Sequence, residues 1–173
     1  DHGGTVPEVD GLVTTTPGLG LLALAADCAT VALVDQAKGI IGAVHSGWRG
    51  VAANAVGATV ETMIARGADV NTIVAAIGPV ICPGCYEVSQ EVRAEVTRTT
   101  PAAAAQTRWG TPSVDLHAGI RSQLADRGVH RVTCEQECTY ETPELFSYRR
   151  DGVTGRHGML IAMSQAAHGT VGG

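Results

Sequence analysis

Residues 40–67 read IIGAVHSGWRGVAANAVGATVETMIARG, and a change of period inside them decides the fold class. Ile40 to His45 is a short apolar run of strand length, and Gly47 and Gly50 punctuate the chain just after it. From Val51 to Arg66 the spacing turns helical: Val56, Val60, Met63 and Ile64 fall on one stripe, and Gly67 suits a C-terminal stop. Upstream, Leu12-Val13-Thr14, Leu21 to Ala26 and Thr30 to Val34 are further short apolar runs bounded by Gly, Pro or Asp. Downstream, Ile73 to Ile77 reads as a strand ended by Gly78-Pro79. Ser89 caps a helix to about Thr99, with Glu91 in its first turn. Ala102 to Ala105 reads as a surface connection. Leu116, Ile120 and Leu124 mark a helix over about Val114 to Arg127, then Val129 to Cys134 and Met159 to Ala162 read as strands, with a turn at Asp151-Gly152. Strands and helices interleave, so the expected class is α/β (or α+β), mixed β-sheets layered with helices, in one domain over residues 1–173.

Composition narrows the function. The chain has 173 residues, 45% hydrophobic and 17% charged, against about 25% charged in a typical domain. It can bury a sizeable core. No apolar run reaches the roughly 18 residues of a membrane span. The net charge of −5 argues against a nucleic-acid surface, and six aromatic residues are too few for stacking platforms. Eleven of the twelve cations are Arg; Lys38 stands alone, and no phosphate-binding G-x-x-x-x-G-K-[ST] loop is present. Five cysteines, at 28, 82, 85, 134 and 138, are an odd number with no signal peptide before them, which fits a reduced, cytoplasmic location. The chain opens at Asp1 without Met, so an N-terminal segment is expected to precede it.

Four features carry chemistry. Cys28, after Ala26-Asp27, and His45 each sit at the end of an apolar run, and neighbouring strand ends could bring them together. Thiolate and imidazole are ligands that zinc prefers. The same pair could be a nucleophile and its base, or simply a buried Cys and a satisfied His. Arg49, between Gly47 and Gly50 where strand gives way to helix, outlines an anion site; a solvated Arg in a glycine turn is the alternative. Cys82-Pro83-Gly84-Cys85 resembles a redox C-x-x-C, but the extended Tyr86-Glu87-Val88 comes after it rather than a helix. A zinc ribbon with Cys134 and Cys138 is disfavoured, because 48 residues separate Cys85 from Cys134. Arg149 and Arg150 beside Tyr148 could bind phosphate, or could pair with Asp151 or Glu144.

These pieces, in this order, resemble the YfiH-like family, also called the laccase-domain or multicopper polyphenol oxidoreductase family. They are Asp10-Gly11-Leu12-Val13-Thr14, Ala26-Asp27-Cys28, His45-Ser46-Gly47-Trp48-Arg49-Gly50, Ile77-Gly78-Pro79 with Cys85-Tyr86-Glu87-Val88, Asp115-Leu116, Cys138-Thr139, and Ser147-Tyr148-Arg149-Arg150 through Arg156. The resemblance implies the layered sandwich shared with cysteine hydrolases of the cytotoxic-necrotizing-factor type. It implies a zinc site of one Cys and two His, of which Cys28 and His45 match two. The third ligand belongs to an upstream Q-x-H segment, and His2 lacks that motif's neighbours. The activity implied is phosphorolysis of adenosine, inosine, guanosine or methylthioadenosine to base and sugar phosphate, with adenosine deamination beside it. Arg49, Gly47, Gly50 and Arg149 would face phosphate. Cys/His-ligated zinc would bring a water's pKa toward about 7, and Asp27 would orient that water or move a proton. Copper oxidation of phenols, which the family name suggests, is not supported by six His with no His-x-His pair. Cys82, where the family has Gly, makes the C-P-G-C a structural turn. The alternatives are a hydrolase or amidase using Cys28 with His45 as base, and an inactive binding module. The partners expected are purine nucleosides and phosphate, with no membrane or nucleic acid.

Overall fold

The computed structural model describes residues 9–164. His2 therefore lies outside the described residues. A five-stranded sheet runs through the centre: β1 (Gly11–Thr14), β3 (Ala29–Asp35), β4 (Ile40–Ser46), β5 (Val74–Ile77) and β8 (Arg131–Cys134), in the order β1-β4-β3-β5-β8. All its pairings are antiparallel except β5 with β8. β2 (Gly20–Ala25) does not join this sheet. It pairs antiparallel with β9 (His157–Ala162) as a separate ribbon.

Alternation along β4 shows the layering. Ile40 and Val44 enter one core with Val31, Leu33, Val56, Val60, Met63, Ile120 and Leu124. Ile41 and Ala43 enter another, beneath the ribbon, with Leu21, Ala23 and Ile161. Successive strand residues face opposite sides, so the odd positions of β4 and the even positions of β3 face the ribbon. The opposite face carries α1 (Trp48–Ala52), α2 (Ala55–Ala65) and α4 (Leu116–Asp126). The mixed, layered α/β class expected from the sequence is the one observed.

Several boundaries differ. The helix expected from Val51 to Arg66 is two helices, broken where Asn54 adopts φ 57°, ψ 41°. Asn is among the non-glycine residues that enter this left-handed region most readily. Val56, Val60 and Met63 are buried within the second helix, but Ile64, at the edge of the same stripe, is 41% exposed. The Ala102–Ala105 stretch lies at the surface apart from Ala103, but it is more regular than a simple connection. Pro101–Ala103 is a 3-10 turn with Ala103 fully buried, leading into β6 (Ala104–Gln106), which pairs with β7 (Pro112–Val114). Ser89 caps α3 (Gln90–Thr99) as expected, accepting from Val92 N–H. Ser147 caps a short α5 (Tyr148–Asp151), which ends at the Asp151-Gly152 turn.

Candidate functional site

The β3–β4 ladder sets Cys28 and His45 on adjacent strands. Ala29 pairs with Ser46 and Thr30 with His45, so Cys28 lies opposite Gly47 just beyond the last pair. Gly47 is still extended, at φ −88° and ψ −165°. A Cβ on Gly47 would come within 2.6 Å of Cys28 Sγ, so the sulfur occupies the space above that glycine. Residues two apart on an extended strand face the same way. Cys28 and His45 therefore share the ribbon-side face of adjacent strands.

The β1–β4 register supplies a partner to which the sequence alone assigns no role. Gly11 pairs with Val44, and His45 N–H donates to Asp10 C=O at 2.8 Å, which puts the Asp10 side chain beside the imidazole. His45 Nδ1 is 3.0 Å from Asp10 Oδ1. A carboxylate can only accept, so Nδ1 donates, which leaves Nε2 as the ring nitrogen turned to other partners. Metal-binding imidazoles are commonly oriented this way.

Asp27 joins the site to the C-terminal segment. It is buried, with φ 84°, at the corner between β2 and β3. Its Oδ1 accepts from the Thr139 hydroxyl at 2.6 Å and its Oδ2 from the Arg149 N–H at 2.7 Å. Each oxygen thus accepts one hydrogen bond from the C-terminal segment. The same contact brings Arg149 in: its guanidinium lies 5.0 Å from the centre of the Tyr86 ring and donates to Glu87 C=O at 2.6 Å. Burial, reinforced by Cys28, pushes the Tyr86 hydroxyl up to about 12, with Arg149 and Arg49 pulling the other way. Burial likewise raises the Cys28 thiol, and the Asp27 and Asp10 carboxylates raise it further. Cys28, Asp10, Asp27, Tyr86, Arg49 and Arg149 thus form one electrostatic neighbourhood.

Arg49 and its glycines differ from the sequence picture. α1 has only five residues, so it offers little helix dipole. Arg49 is exposed and stacks over Trp48 at 4.3 Å. Gly50 is buried, and a Cβ there would meet Ser46 Oγ at 2.8 Å. Close packing against Ser46 is one reason for glycine at that position. Arg150, expected beside Arg149, is structural: it donates to the carbonyls of Thr139, Thr142 and Leu145 and pairs with Asp151.

The structure also makes a cluster that spacing along the chain disfavours. Ligand atoms of Cys82, Cys85, Cys138 and Glu141 all lie within 4.8 Å of one another and could hold a metal ion. The parallel bridge between Val80 and Cys138 cancels their separation in sequence. Cys134 stays outside, at β8, near Arg121. All five cysteines are free thiols, and Cys82–Cys85 is a turn closed by Cys85 N–H on Cys82 C=O at 3.0 Å. Burial and the neighbouring Cys138 and Cys85 thiols push Cys82 up to about 12. A cleft of about 790 Å³ opens between α4 and β8, lined by His117, Arg121, His130 and Cys134 among others. None of Cys28, His45 or Arg49 lines it. Among the described residues no helix is long and apolar enough to cross a membrane.

The family described as multi-copper polyphenol oxidoreductase laccase matches residues 1–164. A purine nucleoside phosphorylase of Streptomyces coelicolor is 48% identical over 151 residues, covering 87% of this chain and 62% of that protein. An adenosine deaminase, RL5, from an unknown prokaryotic organism is 36% identical over 152 residues, covering 84% of this chain and 58% of that protein. The crystal structure of YlmD from Geobacillus stearothermophilus superposes with a TM-score of 0.85 at 35% identity, covering 92% of this chain and 63% of YlmD. The chain thus spans less than two thirds of the length of these relatives.

Proposed function

The chain belongs to the multi-copper polyphenol oxidoreductase laccase family, and from that premise we propose that it is the larger part of a zinc-dependent purine nucleoside phosphorylase with adenosine deaminase side activity. The names of its relatives support nucleoside chemistry. The observation that carries the reading is the Asp10–His45 contact beside Cys28. It holds the imidazole with Nε2 free on the same face as a thiol surrounded by carboxylates. That donor set fits a zinc ion better than copper: one thiolate and one imidazole suit zinc, while oxidase copper needs clustered imidazoles. Cys28 and His45 would hold the ion, with further ligation from outside residues 9–164. Bound zinc would supply Lewis-acid polarisation of an oxygen.

The remaining roles belong to this chain's own side chains. Arg49 and Arg149 provide the positive charge that a phosphate dianion needs. Arg149 is fixed by Asp27 and Glu87, whereas Arg49 is exposed. Tyr86, protonated throughout the neutral range, offers an O–H donor beside them. Asp27 holds the β2–β3 corner and Arg149 in register. Phosphate then approaches the anomeric carbon with its charge matched, and the base departs as sugar phosphate forms.

A second reading has one observation in its favour: Asp10, His45 and Cys28 also resemble an orienter, base and nucleophile. The raised Cys28 thiol argues against it, because an activated nucleophile needs a depressed pKa. The experiment is adenosine turnover by full-length wild type and Arg49→Lys over a range of phosphate. Lys keeps the charge but loses the two-pronged guanidinium contact. Phosphorolysis should fall with a raised KM for phosphate, and deamination should fall less. Equal losses at every phosphate concentration would make Arg49 structural and remove the anion site.

A further inference from the structure

The Cys82/Cys85/Cys138/Glu141 cluster takes no part in the chemistry proposed above. Its two halves have the same form. Cys82 and Cys85 are separated by two residues, as are Cys138 and Glu141. In the first half, Cys85 N–H and Tyr86 N–H both donate to Cys82 C=O, at 3.0 and 3.1 Å. In the second, Glu141 N–H and Thr142 N–H both donate to Cys138 C=O, at 3.1 and 3.0 Å. Two matched turns stand side by side, each presenting its first and last side chains to the other. Backbone contacts fix their separation: Thr139 N–H donates to Val80 C=O at 3.0 Å, and Cys82 N–H to Cys138 Sγ at 3.1 Å.

From this geometry we infer that the two turns form a closed structural zinc site, separate from Cys28 and His45, with Cys82, Cys85, Cys138 and Glu141 as its four ligands. Paired two-residue spacings are the usual way a chain builds a tetrahedral zinc site, and three thiolates select zinc over the hard divalent cations. The fit is close. Tetrahedral ligands about 2.3 Å from zinc stand about 3.8 Å apart, and the four donors already lie within 4.8 Å of one another. Small side-chain rotations bring them in. Cys85 and Cys138 are buried, so water does not compete there.

The surrounding polar groups also suit a ligand set that is negatively charged overall, as three thiolates and a carboxylate around one zinc ion would be. Arg108 Nη2 lies 2.8 Å from Cys85 Sγ and is bonded to Glu141 Oε1. The other Glu141 oxygen, Oε2, faces Cys82 Sγ at 3.7 Å. Glu141 is thus set to bind through Oε2 while Arg108 holds Oε1 from outside. The Cys82 N–H contact to Cys138 Sγ is the backbone donor that a ligating thiolate needs. The clamp joins the chain just before Tyr86 and Glu87 to the chain that leads on to Arg149.

The test is metal stoichiometry in full-length protein purified without chelator, with cobalt substitution as a spectroscopic readout independent of activity. Wild type should hold this zinc, and Cys28→Ser should retain it. Its cobalt form should show intense thiolate-to-metal charge transfer with tetrahedral visible bands. Cys138→Ser should lose more than about a hundredfold in zinc affinity, since even outer partners of ligands are worth about 10–100-fold. Because that variant can fail to fold, Glu141→Cys is the companion: a fourth thiolate should tighten zinc relative to wild type. Three results would overturn the inference. They are zinc lost entirely in Cys28→Ser, a Glu141→Cys affinity no better than wild type, or a disulfide within Cys82, Cys85 and Cys138 in freshly purified, zinc-free protein. The first would leave the Cys28 metal reading standing, and the loss of zinc from Cys28 alone would leave this one standing.

Discussion

Gly47→Ala places a methyl carbon where Cys28 Sγ now sits. The built contact is 2.6 Å, against about 3.5–4.0 Å for unstrained heavy atoms. The sulfur must therefore move by about 1 Å. Ligand positions in a metal site tolerate only about ±0.2 Å, so this displacement takes Cys28 out of the ligand set. The fold itself should suffer much less. Cys28 is a short side chain at a half-buried corner, and rotation about one bond relieves the clash, for a cost at the low end of the roughly 1–3 kcal/mol typical of overpacking. Gly50→Ala is the control: its methyl meets the fully buried Ser46 hydroxyl at 2.8 Å inside α1, which nothing nearby can yield to. It should show the larger stability loss, about 1–3 kcal/mol, with metal affinity at the Cys28 site kept. The assays are zinc competition against a chromophoric chelator and urea unfolding, run on the two variants in full-length protein, with zinc at Cys28 distinguished by subtraction of a Cys28→Ser background. If Gly47→Ala keeps wild-type zinc affinity at the Cys28 site, Cys28 is not a ligand and the reasoning fails.

Two other outcomes are set by the site's electrostatics and hydrogen bonds. Asp27→Asn replaces an oxygen that accepts from Thr139 or the Arg149 N–H with an NH2 that cannot accept; leaving a buried group unpaired should cost about 1–3 kcal/mol, seen as a lower urea midpoint with an unchanged slope. In metal-free protein, Cys28 should react with iodoacetamide more slowly than a peptide thiol at pH 8, since burial and the two aspartates raise it from 9.0. The rate should still be rising with pH where the peptide thiol has levelled off, and Asp10→Asn should move that levelling to lower pH; a rate faster than the peptide thiol would revive the nucleophile reading.

The strand–glycine–helix passage at 40–67 carries enough period to define the layered class, because a run of period two cannot pack as a run of period 3.6 does. What it hides is the break at Asn54: Ala52-Ala53-Asn54-Ala55 has no Gly or Pro, and a left-handed Asn leaves no mark on the hydrophobic stripe. The pairing of β2 with β9 is equally invisible, since Leu21 to Ala25 looks like any other apolar strand and its partner lies at the far end of the chain. At the site, Cys28 and His45 are legible because each sits beside a strand end with nothing else to explain it. Asp10 and Tyr86 are not, because their relation to those two residues exists only through the β1–β4 register and the Arg149–Tyr86 stacking. The twin turns at Cys82 and Cys138 do leave a signal, two equal spacings. Chain separation masks it, because distance along the sequence stands in for distance in space until the bridge from Val80 to Cys138 removes it.

A metal held by Cys28 and His45 is proposed to serve phosphate-dependent nucleoside cleavage. The most direct test of that role is to quantify adenine and ribose 1-phosphate formed from adenosine by the full-length protein, with metal bound, removed and restored, beside Cys28→Ser. The two products should form in equal amounts, both should be lost on metal removal, and zinc should restore them in wild type but not in Cys28→Ser. Unchanged turnover by the metal-free protein, or cleavage by Cys28→Ser at the wild-type rate, would contradict that role.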